Sequence, residues 1–121
     1  SKDSPMANNA FKAVNTVITS VNEIIYTTPP NLTTIVINAQ LVNIGEHDMD
    51  CTFNYFNSVT GKEIPLIRDF RIRGNQSNSA TFGRLVVNEN DSLKVRAVDP
   101  LGVNFESTVR LSLSLLETED V

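Results

Sequence analysis

A chain of 121 residues and 13.4 kDa is one domain long, large enough to bury roughly two thirds of the surface its unfolded form would expose. Its 40% hydrophobic and 20% charged content argues against disorder. A formal net charge of −4 argues against a nucleic-acid partner, because binding phosphates needs a positive field that releases counterions. One cysteine, Cys51, rules out an intrachain disulfide and a thiolate metal cage.

Residues 1–10 (SKDSPMANNA) contain Pro5, two Asn and few large apolar groups, and are expected to form a flexible arm ahead of a single domain spanning 11–121. No charged and then apolar leader precedes the first expected strand. From Phe11 onward, short apolar stretches alternate with clusters of turn residues at 28–31, 43–50, 58–63, 73–79, 88–92 and 99–102. That spacing predicts an all-β, antiparallel two-sheet sandwich, Ig-like or jelly-roll-like, of eight or nine short strands.

Strands are expected near 13–19 and 22–27, followed by a long one in which Ile35, Ile37, Ala39 and Leu41 face inward. Cys51, Phe53 and Tyr55 alternate with Thr52 and Asn54 in the next. Segments 63–67 and 69–73 follow, with Pro65 placed at a sheet edge or bulge because it lacks a backbone donor. A strand at 82–87 carries Gly83, expected to mark a bulge. Leu93, Val95 and Ala97 alternate with Lys94 and Arg96. The clearest period of two comes last: Val109, Leu111, Leu113 and Leu115 alternate with Arg110, Ser112 and Ser114. No apolar run approaches the roughly 18–20 residues needed to cross a bilayer, and no membrane partner is expected.

Side chains with chemical potential are sparse. Glu46, Asp48 and Asp50 flank the single histidine, His47; three carboxylates could offer oxygen to calcium, but the glycine and terminal glutamate of an EF-hand are missing, and a solvated hairpin loop is the simpler reading. Cys51 lies near His47, yet it is in phase with Phe53 and Tyr55, which makes it a small buried hydrophobe rather than a nucleophile. No phosphate-cradling glycine motif occurs. With no Trp and only Tyr26 and Tyr55, a stacking platform for sugars or bases is poorly supplied. The N-x-S/T triplets at Asn31, Asn75 and Asn90 are what 14 Asn among many Ser and Thr produce by chance. No catalytic residue, cofactor or metal ligand is therefore assigned, and an enzyme is not expected. Arg68, Arg71, Arg73 and Arg84 lie close together in the sequence among interleaved acids; they are candidate partner contacts, with solvated strand faces as the plainer account.

Three stretches carry a resemblance. They are Ile25-Tyr26-Thr27-Thr28-Pro29-Pro30 running through Thr33-Thr34-Ile35-Val36 to Asn43-Ile44-Gly45; Gly83-Arg84-Leu85-Val86-Val87 with Asp91-Ser92-Leu93-Lys94-Val95; and the ending Leu113-Ser114-Leu115-Leu116-Glu117. Spread from Phe11 to Glu117, they resemble small β-sandwich virion proteins of tailed bacteriophages, notably phages of marine bacteria and cyanobacteria. The glycine usual before the Asp-Ser-Leu run is Asn90 here, which still tolerates a left-handed turn. The resemblance implies a structural protein assembled in a host cytoplasm and located in the virion, with no catalytic residues. It points to a decoration or cement protein on the outside of the major capsid lattice, a homo-oligomer and often a trimer. A tail, neck or fibre-associated protein, or a host-surface adhesion sandwich, are the alternatives.

Overall fold

The computed structural model describes residues 9–80 and 83–119. Nine strands make up its regular structure, and no helix occurs among the described residues: β1 (Asn9–Ile18), β2 (Glu23–Thr27), β3 (Leu32–Asn43), β4 (Met49–Phe56), β5 (Glu63–Ile72), β6 (Gln76–Ser79), β7 (Leu85–Val87), β8 (Ser92–Val98) and β9 (Val109–Glu119). They form two antiparallel sheets. The five-stranded sheet runs β1-β9-β3-β6, with β7 also pairing β3; the four-stranded sheet runs β2-β8-β4-β5. This is the expected sandwich. The connections 28–31, 57–62 and 88–91 gather at one end, here called proximal; 19–22, 44–48, 73–75 and 99–108 gather at the distal end.

The core follows from the period-two strands. Val109, Leu111, Leu113 and Leu115 are all buried, as are Leu93, Val95 and Ala97, and they meet Cys51 and Phe53 of β4 between the sheets. Pro65 lies on β5, an edge strand, next to a register shift opposite Phe53 and Asn54, where its missing donor costs no ladder bond to a further strand.

The long strand β3 corrects one inward face. Ala39 and Leu41 point in as expected, but Val36 and Thr34 take the places assigned to Ile35 and Ile37, and Ile37 is 54% exposed. The cause is a register shift between Val36 and Asn38: one extra residue on β3 reverses the alternation on its N-terminal side. Segments 63–67 and 69–73 are a single strand, β5, bent at an irregularity where Asp69 adopts φ 51°. Gln76–Ser79, expected within a turn, is β6, paired with Gln40–Asn43. Gly83 precedes β7 in a turn with φ 72° rather than forming a bulge, and β7 begins only at Leu85. The expected arm lies mostly outside the described residues, but Asn9 and Ala10 already pair with Thr118 and Glu117.

Candidate functional site

Asparagines shape the turns. Asn31, Asn75 and Asn90 all have positive φ, between 60° and 68°, the backbone region Asn tolerates best after glycine. The three N-x-S/T triplets are thus turn residues, and Asn90 holds the conformation expected of it. At the distal end the fully buried Asn43 side chain donates to the carbonyls of His47 (2.7 Å) and Ile72 (3.0 Å) and accepts from Gly45 N–H (3.0 Å), pinning β3, β4 and β5 together. A Cβ on Gly74 would lie 2.3 Å from the Glu46 carbonyl oxygen, so only glycine allows these two turns to touch.

The acidic turn is wired to the arginines. Asp50 accepts from Arg71 Nε at 2.6 Å, and Asp48 lies 3.9 Å from Arg71 and 4.0 Å from Arg73 while accepting from Gly74 N–H at 3.2 Å. Hydrogen bonding to Asp50, and its charge, raise the pKa of Arg71. Two of the three carboxylates considered for calcium are therefore neutralised by cations, and among the described residues no three His, Cys, Asp or Glu side chains converge as a metal site. Arg68, Arg71 and Arg73 follow one another along β5 and its exit, all exposed, whereas Arg84 sits on the β6–β7 connection of the other sheet.

Cys51 is fully buried, and burial pushes its thiol up to about 12, far from a reactive thiolate.

The tyrosine–carboxylate pairs at the proximal end were not among the expected sites. There each of the chain's two tyrosines donates to a buried carboxylate. Tyr26 O–H donates to Glu117, which also holds Lys12 Nζ at 3.0 Å; Tyr26 further contacts Thr34 Oγ1 at 2.7 Å, and the Thr28 hydroxyl lies 2.9 Å from that of Thr34. Tyr55 O–H donates to Asp91 at 2.6 Å, and Asp91 also accepts from Ser58 N–H and O–H at 2.8 and 3.0 Å. Burial alone would raise both carboxyls, but the hydrogen bonds outweigh it: those from Tyr26 and Lys12 hold Glu117 below its ordinary value, and those from Tyr55 and Ser58 do the same for Asp91. Burial, reinforced by the bond to Glu117, pushes Tyr26 up to about 12. Every member is satisfied; Tyr26 on β2 and Glu117 on β9 rivet the two sheets together, while Tyr55 and Asp91 tie β4 to the turn that leads into β8 of the same sheet.

The surface has a different character. On the outer face of the five-stranded sheet, Phe11, Leu116, Ile35 and Val86 stand opposite one another on β1, β9, β3 and β7, a row of apolar side chains across the sheet. At the distal end the β8–β9 connection exposes Leu101, Val103 and Phe105, the last 91% exposed. Asp99 holds that loop by accepting from the N–H groups of Leu101, Val103 and Asn104, bonds that lower its pKa. A cleft of about 330 Å³ beside it is lined by Met49, Ala97, Asn104 and Phe105.

No protein-family model matches the sequence, and no curated protein matches it. Solved structures do match. A chain of Bacillus endospore appendages, described as disulfide-linked pili, aligns with a TM-score of 0.55 at 12% identity over 96% of this chain and 90% of its own. A chain of the T13 IBDV viral particle aligns with a TM-score of 0.59 at 8% identity, over 94% of this chain and 32% of its own, so this domain spans about a third of it. At such identities the likeness is one of fold. The chain shares with them a two-sheet antiparallel sandwich, and the likeness goes no further than that fold.

Proposed function

We propose that the chain is a non-catalytic structural protein of a tailed-phage virion, a decoration protein bound to the outside of the major capsid lattice. The observation that carries this reading is the alignment of almost the whole of this chain, at TM-scores of 0.55 and 0.59, with chains of a pilus and a viral particle, both objects built by repeated subunit association. The resemblance of its strand-end motifs to small phage virion proteins supports the phage assignment. The surface suits the role: it offers exposed apolar side chains and arginines on strand edges in place of a deep pocket, and modest contacts repeated over a lattice gain strength by avoiding independent dissociation. Arg68, Arg71, Arg73 and Arg84, with residues 1–10, are the proposed contacts.

Binding of the purified chain to empty capsids tests this. Binding that weakens when Arg71 and Arg73 are reversed to Glu supports the contact; undiminished binding by that variant and by a chain lacking residues 2–10 would remove both proposed contacts. The match over 90% of a pilus chain favours one second reading, a tail, neck or fibre component. A disulfide linkage like the one named for those pili is not available through Cys51, which is sealed in the core.

A further inference from the structure

A two-sheet sandwich has open edges, and three of the edges here are blunted in the ways that prevent strand addition. β2 has five residues and a register shift between Ile24 and Tyr26. β5 contains Pro65 and two register shifts against β4. The edge beyond β3 is divided between β6 and β7, of four and three residues. β1 differs. It runs ten residues in unbroken register with β9, contains no proline, and among the described residues pairs with no other strand. Its one charged residue, Lys12, lies on the inward side of the strand with its charge paired to Glu117 at 3.0 Å, and the outward side of the strand carries no charge.

We propose that two copies of this chain join edge to edge through β1, antiparallel about a two-fold axis normal to the sheet, fusing their five-stranded sheets into one. The sequence of β1 specifies the register. Residues directly opposite in an antiparallel pair point to the same face. Phe11, Ala13, Asn15 and Val17 face out, since they stand opposite Leu116, Ser114, Ser112 and Arg110 of β9. An outward residue must therefore meet an outward one. Centring the axis on Val14 sets Phe11 against Val17 of the second copy and Ala13 against Asn15, with Val14 meeting itself beside the core and Lys12 facing Thr16. This pairs an aromatic with a β-branched residue twice and opposes no like charges, the combination that stabilises a ladder. Centring on Ala13 instead would set Phe11 against Asn15 and Lys12 against Val14. The apolar row Phe11-Leu116-Ile35-Val86 then continues into the neighbour's Val17. A closed trimer through this edge would need a second, complementary edge, and the other three are blunted; a two-fold needs β1 alone.

Sedimentation equilibrium of the purified chain, with no particle present, tests this apart from any capsid role. A dimer is expected, and Phe11→Lys and Val17→Lys, both at exposed positions, should each raise its dissociation constant at least tenfold with an unchanged melting temperature at monomeric concentration. Mixing Ala13→Cys with Asn15→Cys chains should give an intermolecular disulfide that neither forms as readily alone, with Cys51 buried and silent. A chain that stays monomeric at all concentrations overturns the proposal. So does a dimer indifferent to both lysines, or one lost on removing residues 1–8, which would assign the contact to that segment.

Discussion

Tyr26→Phe deletes one oxygen from the rivet that joins the sheets. The ring still packs against the core, and Glu117, 3% exposed, keeps Lys12 but loses the donor aimed at its Oε2. A hydrogen bond to a charged group contributes about 1.5–3 kcal/mol net, and a neutral one about 0.5–1.5. At neutral pH the variant should therefore be about 1.5–3 kcal/mol less stable, which lowers the melting temperature of a domain this size by roughly 5–15 °C. The effect carries a pH signature. Glu117 titrates below its ordinary value in the folded chain, so its stabilisation is complete above the unfolded carboxyl pKa and disappears as pH falls through the folded one. Part of the wild-type advantage thus requires the carboxylate, and the gap between wild type and Tyr26→Phe should narrow as pH falls through the folded Glu117 pKa, below the ordinary carboxyl range. Thermal denaturation by circular dichroism from pH 7 down through the acid range follows the gap. A gap at pH 7 under about 0.5 kcal/mol, or one that stays constant until the wild type itself unfolds in acid, refutes the rivet.

Other outcomes follow from the packing. Leu111→Asp buries an unpaired charge in the best-ordered alternation of the chain and should cost at least about 4 kcal/mol or prevent folding; near-normal melting would overturn the β9 register. The bulge in β3 makes Val36→Asp severe and Ile37→Asp mild, within about 1 kcal/mol of wild type, in urea denaturation; the reverse order would restore the unbulged alternation. Cys51, its thiol pushed up to about 12, should not react with Ellman's reagent in the folded chain and should react fully in guanidinium; rapid labelling of the native protein would contradict its burial.

The legible part of this fold is the part whose alternation is unbroken. β8 and β9 announce their inward faces because every second residue is aliphatic, and Pro65 announces an edge because it cannot donate. β3 conceals its phase: Ile35, Val36 and Ile37 are all apolar, so the pattern is consistent with either face, and the bulge decides. β6 reads as a turn because Gln-Ser-Asn-Ser has no apolar residue at all; it is a strand through pairing with β3, a non-local fact. The tyrosine–carboxylate pairs span 91 and 36 residues of sequence; Glu117 continues the inward phase of Val109, Leu111, Leu113 and Leu115, but its pairing with Tyr26 is set by topology. The arginines are easily counted in the sequence, but their division between two sheets, and the engagement of Arg71 with Asp50, depend on topology.

The proposed role as a building component of a virion surface is tested by quantitative mass spectrometry of purified particles, with the major capsid protein as internal standard. A decoration protein is expected in the particle at a fixed, lattice-scale ratio to the capsid protein. Its absence from purified particles would overturn the virion role, and a copy number matching a single ring would move it from the capsid to the tail or neck.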